Sequence, residues 1–172
     1  VFAVKVVAIE QFDSARDAFL NAFSACPDDS LTYLRNGDIY AIGGLVVHCN
    51  QVLRHYQRVI ERLDQPGGSE FRASDPPAEV EEADRRALAG LASSERSSEL
   101  AELDSLHQAM KQAAQRVPAT GWEEKTPVVY GGAADAYPTS PDDVIGWLRD
   151  HYEEHVPHAA ELLAEWRATR AQ

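Results

Sequence analysis

The stretch "SPDDVIGWLRDHYEEHVPHAAELLAEWRATR", residues 140–170, decides the fold. It opens with a strong helix start signal. Ser140 stands at the N-cap position, Pro141 at the first helical position, and Asp142 and Asp143 at the positive end of the helix dipole. Apolar residues then recur with the period of an α-helix: Leu148, Tyr152, Leu162 and Trp166. One long helix with a core-facing side is therefore predicted over this stretch.

Three further stretches have the same helical period, and each carries its own apolar face. They cover residues 9–23, 39–63 and 97–117. Four long amphipathic helices predict an all-α fold, an up-and-down four-helix bundle that forms a single domain over residues 1–172. Its connections between helices 2 and 3 and between helices 3 and 4 are long. A short acidic helix over 78–89 is expected in the first of these connections.

Strand character is weak everywhere in the chain. It is found only in two short segments, "FAVKVVAI" at residues 2–9 and "PVVY" at residues 127–130. The alternation in both segments is too brief to outweigh the helical pattern. The all-α prediction therefore stands without a sheet.

The composition restricts the partners and the compartment. A net charge of −12 disfavours binding to nucleic acid or to an anionic membrane surface, because both would repel the chain. Two cysteines at no metal-type spacing, Cys26 and Cys49, indicate a reducing environment. The opening "VFAVKVVAIE" is interrupted by Glu10 and lacks the basic start of a signal peptide. A soluble, cytoplasmic protein is expected.

Three of the six histidines lie within "HYEEHVPH", residues 151–158. His151 and His155 are four residues apart, so they share one face of the helix and form a good chelating pair. His48 lies at a similar depth in the second predicted helix, which runs parallel to the fourth in an up-and-down bundle. The three imidazoles together predict a divalent metal site that suits zinc or nickel, with iron or manganese also possible.

Two alternatives to this ligand set stay open. His158 lies on the same face and is an alternative partner for His155 in place of His151. Pro157 removes an amide donor and crowds the carbonyl of Glu153, so a kink is expected. The kink would either open room for a ligand beside His151 or make His158 the start of a new segment, in which it replaces His151 as a ligand. Hydrogen-bonded core histidines, with no metal at all, would also explain the spacing.

The remaining histidines and the cysteine beside His48 are assigned structural roles. His107 lies at an inward position of the third helix, where it can hydrogen-bond within the bundle, and it is only a weak further ligand candidate. His55 lies two turns from His48, too far to reach the same ion. Cys49 points about 100° away from its neighbour His48, so we interpret it as a packing residue rather than a nucleophile.

Two segments resemble the DinB/YfiT-like family of four-helix-bundle proteins: "GGLVVHCNQVLRHY" at residues 43–56 and "DDVIGWLRDHYEEHVPHAAELL" at residues 142–163. The resemblance implies that His48, His151 and His155 bind a divalent metal ion. There are three departures from the family pattern. Val52 stands where many members have an acidic residue, and the connection between helices 2 and 3 is long. In many members a Leu-x-Gln-type tail follows the last histidine, whereas "HVPHAAEL" offers that tail to His158 rather than to His155.

The resemblance also implies the class of activity. Members include metal-dependent hydrolases and thiol-dependent S-transferases, so the expected partners are a small-molecule substrate or a low-molecular-weight thiol, and a homodimer is possible. Glu154 and His158 are the nearby candidates for a general base; no catalytic residue is assigned. The alternative is a non-catalytic bundle that binds or senses a metal or a ligand.

Overall fold

The protein is described here by a computed structural model that covers residues 2–63 and 68–171. It is mostly helical, with five α-helices in these residues: α1 Phe2–Ser24, α2 Gly44–Leu63, α3 Pro77–Ala89, α4 Arg96–Arg116 and α5 Pro141–Arg170. Helix α1 packs along α5, and α2 packs against α3, α4 and α5. None of the helices in the described residues is long and apolar enough to cross a membrane.

The apolar faces read from the sequence form the core. The face of α1 is buried along its length, at Ile9, Phe12, Ala15, Phe19 and Phe23. On α5, Leu148, Tyr152 and Leu162 are buried in the same hydrophobic core, where Tyr152 contacts Phe12 and Phe19. Burial of this kind contributes about 1.5–3 kcal/mol for each large apolar side chain and therefore holds the α1–α5 pair together.

Helix α5 is continuous from its cap to its end. The Ser140 hydroxyl accepts a hydrogen bond from the backbone N–H of Asp143, whose carboxylate bonds back to the backbone N–H of Ser140, a capping box. Pro157 lies inside the helix. The alternative that His158 begins a new segment after Pro157 is therefore wrong, because His151, His155 and His158 belong to one helix.

A small three-stranded sheet corrects the purely all-α prediction. Its strands are β1 Phe71–Ala73, β2 Thr126–Tyr130 and β3 Tyr137–Thr139, in the order β1–β2–β3. Strands β1 and β2 are parallel, whereas β2 and β3 are antiparallel. The strands are too short to show an alternating pattern, and only "PVVY" had signalled one. The strand character of residues 2–9 was misleading, since these residues belong to α1.

Helix α2 begins later than its sequence pattern predicts, at Gly44 instead of Ile39. The backbone N–H of Ala41 donates to the carbonyl of Ala87, and that of Gly43 donates to the carbonyl of Leu31. A Cβ atom at Gly44 would lie 1.8 Å from the Ala87 carbonyl oxygen, so only glycine permits this approach. These bonds hold the preceding residues outside the helix, and residues 35–42 form instead a loop beside the histidines of α5.

Candidate metal centre

The structure brings His48 of α2 together with His151 and His155 of α5. The Nε2 atom of His151 lies 2.9 Å from Nε2 of His48 and 3.2 Å from Nε2 of His155. One ligand atom from each residue lies within 4.8 Å of the other two. We call this group the three-histidine cluster. It joins two helices that are far apart in the sequence and contains the three histidines that the sequence pattern singled out.

Burial keeps the cluster uncharged. Removal from water lowers the pKa of His48 to about 4, of His151 to about 4 and of His155 to about 3. The pKa of each is lowered further by neighbouring histidines. All three imidazoles are therefore neutral near pH 7, which is the protonation state that a metal ion requires of a histidine ligand.

The donor set and its spacing fit a divalent ion. Two nitrogen ligands of a tetrahedral zinc ion, at about 2.0–2.1 Å from the metal, lie roughly 3.3 Å apart. The two shorter nitrogen–nitrogen distances in the cluster are close to this value. A set of three neutral imidazoles is typical of zinc, nickel and related first-row ions.

His158 lies next to the cluster and contacts it from outside. Its Nδ1 atom is 3.4 Å from Nδ1 of His155, and its Nε2 atom is 2.9 Å from Oδ2 of Asp38. Burial would raise the pKa of Asp38, but hydrogen bonds from His158 and from the backbone N–H groups of Ile39 and Tyr40 outweigh it and lower the pKa. Both nitrogens of His158 thus already have partners away from the centre of the cluster.

Tyr40 packs against the cluster. Its ring stacks on His48, with centroids 4.4 Å apart, and meets His155 edge-on at 5.8 Å. Sequence reasoning missed both Tyr40 and Asp38, because it placed Tyr40 inside α2 and Asp38 in the turn before that helix. The only sequence signal was the polar turn "RNGD" followed by an aromatic residue.

The other histidines lie outside the cluster. His107 is fully buried and, as predicted, hydrogen-bonds within the core, to Asp13 and to the Tyr152 hydroxyl. His55 pairs with Asp75 through Nδ1 at 3.0 Å. Burial raises the pKa of the Cys49 thiol far above its usual value, which agrees with its interpretation as a packing residue.

Comparison with known families decides the relationship. A sequence model of the DinB superfamily matches residues 11–159, which include the whole three-histidine cluster and His158. The protein belongs to the DinB superfamily. No curated protein and no solved structure gives a significant match. Membership confirms the resemblance read from residues 43–56 and 142–163, and it is compatible with metal binding by this DinB protein.

Proposed function

We propose that this DinB protein binds one divalent metal ion through His48, His151 and His155 and acts as a metal-dependent hydrolase or thiol S-transferase. The single observation that carries the proposal is the convergence of three neutral imidazole Nε2 atoms from two helices. Membership of the DinB superfamily supports it. Part of the proposal is that α1, α2, α4 and α5 form the up-and-down four-helix bundle on which the site is built.

The ion expected in this set is zinc or nickel, since both favour imidazole nitrogen. When bound, a divalent ion with three protein ligands lowers the pKa of a water or thiol at its open position, which is the chemistry that both proposed reactions need. The chain's own contribution is to keep the three imidazoles neutral and close together. Burial supplies the first property and the contact of α2 with α5 supplies the second.

Access for a small molecule is proposed from the side of the 35–42 loop. An open cleft of about 440 Å³ lies there, lined by residues that include Arg35, Asp38, Glu154 and His158. Of the two candidate general bases, His158 has both ring nitrogens engaged. Glu154 is exposed in the same cleft, so we assign to Glu154 the role of moving a proton to or from the substrate.

Metal content tests the proposal directly. Protein purified without an affinity tag is analysed for zinc, nickel, iron and manganese, and metal-free protein is titrated with each. We expect about one equivalent of bound ion. His48→Ala should lose it, whereas His55→Ala, a change of the same residue type two turns along α2, should keep it. Less than about a tenth of an equivalent, with no uptake on titration, would overturn the proposal.

Activity assays test the second part of the proposal, that the protein is an enzyme. The metal-loaded protein is assayed against ester and amide substrates and for transfer of low-molecular-weight thiols, with Glu154→Gln as the variant. Turnover that is lost on chelation and restored by metal supports an enzyme. Stoichiometric metal without turnover of any of these substrates would favour the alternative function, a non-catalytic metal-binding or sensing module.

A further inference from the structure

We propose that Asp38 and His158 are positioning residues that set the tautomer of His155, so that its Nε2 lone pair faces His48 and His151. The proposal rests on the metal site proposed above and adds to it two residues that do not touch the ion. Its basis is a continuous line of polar contacts that leads from a carboxylate into the three-histidine cluster.

The Asp38 carboxylate determines which ring nitrogen of His158 carries a hydrogen. Asp38 is nearly buried, with a side chain that is 10% exposed, and its Oδ1 accepts the backbone N–H of Ile39 at 2.8 Å and that of Tyr40 at 3.3 Å. Its Oδ2 accepts from Arg35 at 3.0 Å and faces Nε2 of His158 at 2.9 Å. An ionised carboxylate only accepts hydrogen bonds. Nε2 of His158 must therefore carry the hydrogen of that bond.

The second step follows from the chemistry of a neutral imidazole. When Nε2 of His158 carries the hydrogen, its Nδ1 is an acceptor. This Nδ1 faces Nδ1 of His155 at 3.4 Å, so His155 must donate through its own Nδ1–H. Nε2 of His155 is then left without a hydrogen and presents a lone pair toward Nε2 of His151, 3.2 Å away.

The opposite tautomer would obstruct the site. With its hydrogen on Nε2, His155 would point an N–H group into the cluster, and its Nδ1 would meet the acceptor of His158 without a hydrogen between them. In the described residues, His48 and His151 have no hydrogen-bond partner at Nδ1. His155, which is 4% exposed, is thus the one member of the cluster whose outer ring nitrogen, Nδ1, has a hydrogen-bond partner in the described residues. Outer partners of this kind typically contribute 10- to 100-fold in metal affinity.

The first experiment measures metal affinity by competition with a chelator. His158→Phe removes both nitrogens but keeps a ring beside Tyr40, which lies edge-on to His158 at 6.1 Å. Asp38→Asn removes the charge that selects the tautomer. We expect each variant to bind zinc about 10- to 100-fold more weakly than the wild type. Glu161→Gln, which removes a carboxylate from the same cleft that has no hydrogen bond to His158 in the described residues, should stay within about twofold.

The second experiment reads the tautomer itself. Two-bond ¹H–¹⁵N correlation spectra of the metal-free protein distinguish a protonated from an unprotonated ring nitrogen. We expect the Nδ1–H form of His155 in the wild type and an increased share of the Nε2–H form in His158→Phe. An Nε2–H form in the wild type would overturn the proposal, and this reading does not require any variant to fold.

The outcomes separate the two proposals. Wild-type protein that binds no metal would overturn the metal site, while the tautomer spectra would still test the positioning of His155. Wild-type protein that binds metal with the same affinity as folded His158→Phe and Asp38→Asn would overturn the positioning role and leave the metal site intact.

Discussion

Two groups of histidine in this molecule have opposite surroundings. His107 is enclosed by charge: its Nε2 lies 2.8 Å from Asp13, whose other oxygen accepts from Lys111, and its ring stacks on Phe12 at 4.0 Å. We call Asp13, His107 and Lys111 the Asp13 network. In the three-histidine cluster, by contrast, the Nε2 atoms of the three residues face one another.

The difference separates a structural histidine from a candidate ligand. Burial alone would raise the pKa of Asp13, but hydrogen bonds from Lys111 and His107 lower it, so the Asp13 network holds its own counter-charge. The three-histidine cluster has neutral lone pairs and, at its centre, no carboxylate from the described residues. A cation would supply the missing partner of the lone pairs in the three-histidine cluster, whereas the Asp13 network already pairs its charges internally.

The largest effect on folding is expected in the Asp13 network. His107→Ala removes a fully buried ring and half of the partners of Asp13, so the free energy of unfolding should fall by about 3 kcal/mol. Urea denaturation of the metal-free protein measures it. His48→Ala, which breaks no ion pair, is the matched comparison and should cost less than about 1.5 kcal/mol. Equal losses in the two variants would remove the distinction between the two groups.

A slightly smaller effect on stability is expected when metal binds to the three-histidine cluster. At a free metal concentration of 100 times Kd, binding stabilises the wild type by about 2.7 kcal/mol. For a chain of this size the midpoint of thermal unfolding should rise by about 5–10 °C. If His151→Ala weakens binding about 100-fold, the same concentration stabilises that variant by only about 0.4 kcal/mol. A full shift in His151→Ala would show that the ion binds elsewhere.

The smallest effect is a dependence on pH that belongs to the Asp13 network. Burial lowers the pKa of His107 below its usual 6.5, although Asp13 opposes the shift. The unfolded chain gains a proton at His107 below about pH 6.5, whereas the folded protein resists it. The difference in the free energy of unfolding between wild type and His107→Gln is therefore largest above about pH 6.5. It shrinks toward pH 5, by at most about 1.4 kcal/mol per pH unit.

Urea denaturation of both proteins between about pH 7.5 and about pH 5 checks this prediction. The other five histidines are common to wild type and His107→Gln, so their titration cancels in the difference. Asp13, Lys111, Arg16 and the Tyr152 hydroxyl are the titratable groups that act on His107 or lie against it, from α1, α4 and α5. A stability difference that does not change with pH would contradict the lowered pKa.

The helices and the pair His151 and His155 were predictable because both depend on local periodicity, whereas His48 was added from the expected arrangement of the helices. The spacing of His151 and His155 fixes their common face, and the Ser140 capping box fixes where α5 begins. The apolar period of α1 likewise marked its buried face. These signals lie within single helices, so a sequence is enough to reveal them.

The outer parts of the site were not predictable because they depend on contacts between distant segments. The bond from the Ala41 N–H to the carbonyl of Ala87 ends the helical pattern of residues 39–43, and nothing near Ala41 in the sequence indicates it. Asp38 and Tyr40 reach the histidines only because of that change. The strands of the small sheet pair across a similar separation, Phe71 with Val128.

X-ray absorption spectroscopy of the zinc-loaded protein tests the central claim most directly, because it counts and identifies the ligands of the ion. Three imidazoles with nitrogen at about 2.0–2.1 Å, together with a further light ligand, are predicted. His48→Ala should reduce the imidazole count and His107→Gln should leave it unchanged. Fewer than three imidazoles in the wild type, or a sulfur ligand at about 2.3 Å, would contradict a metal centre built from His48, His151 and His155.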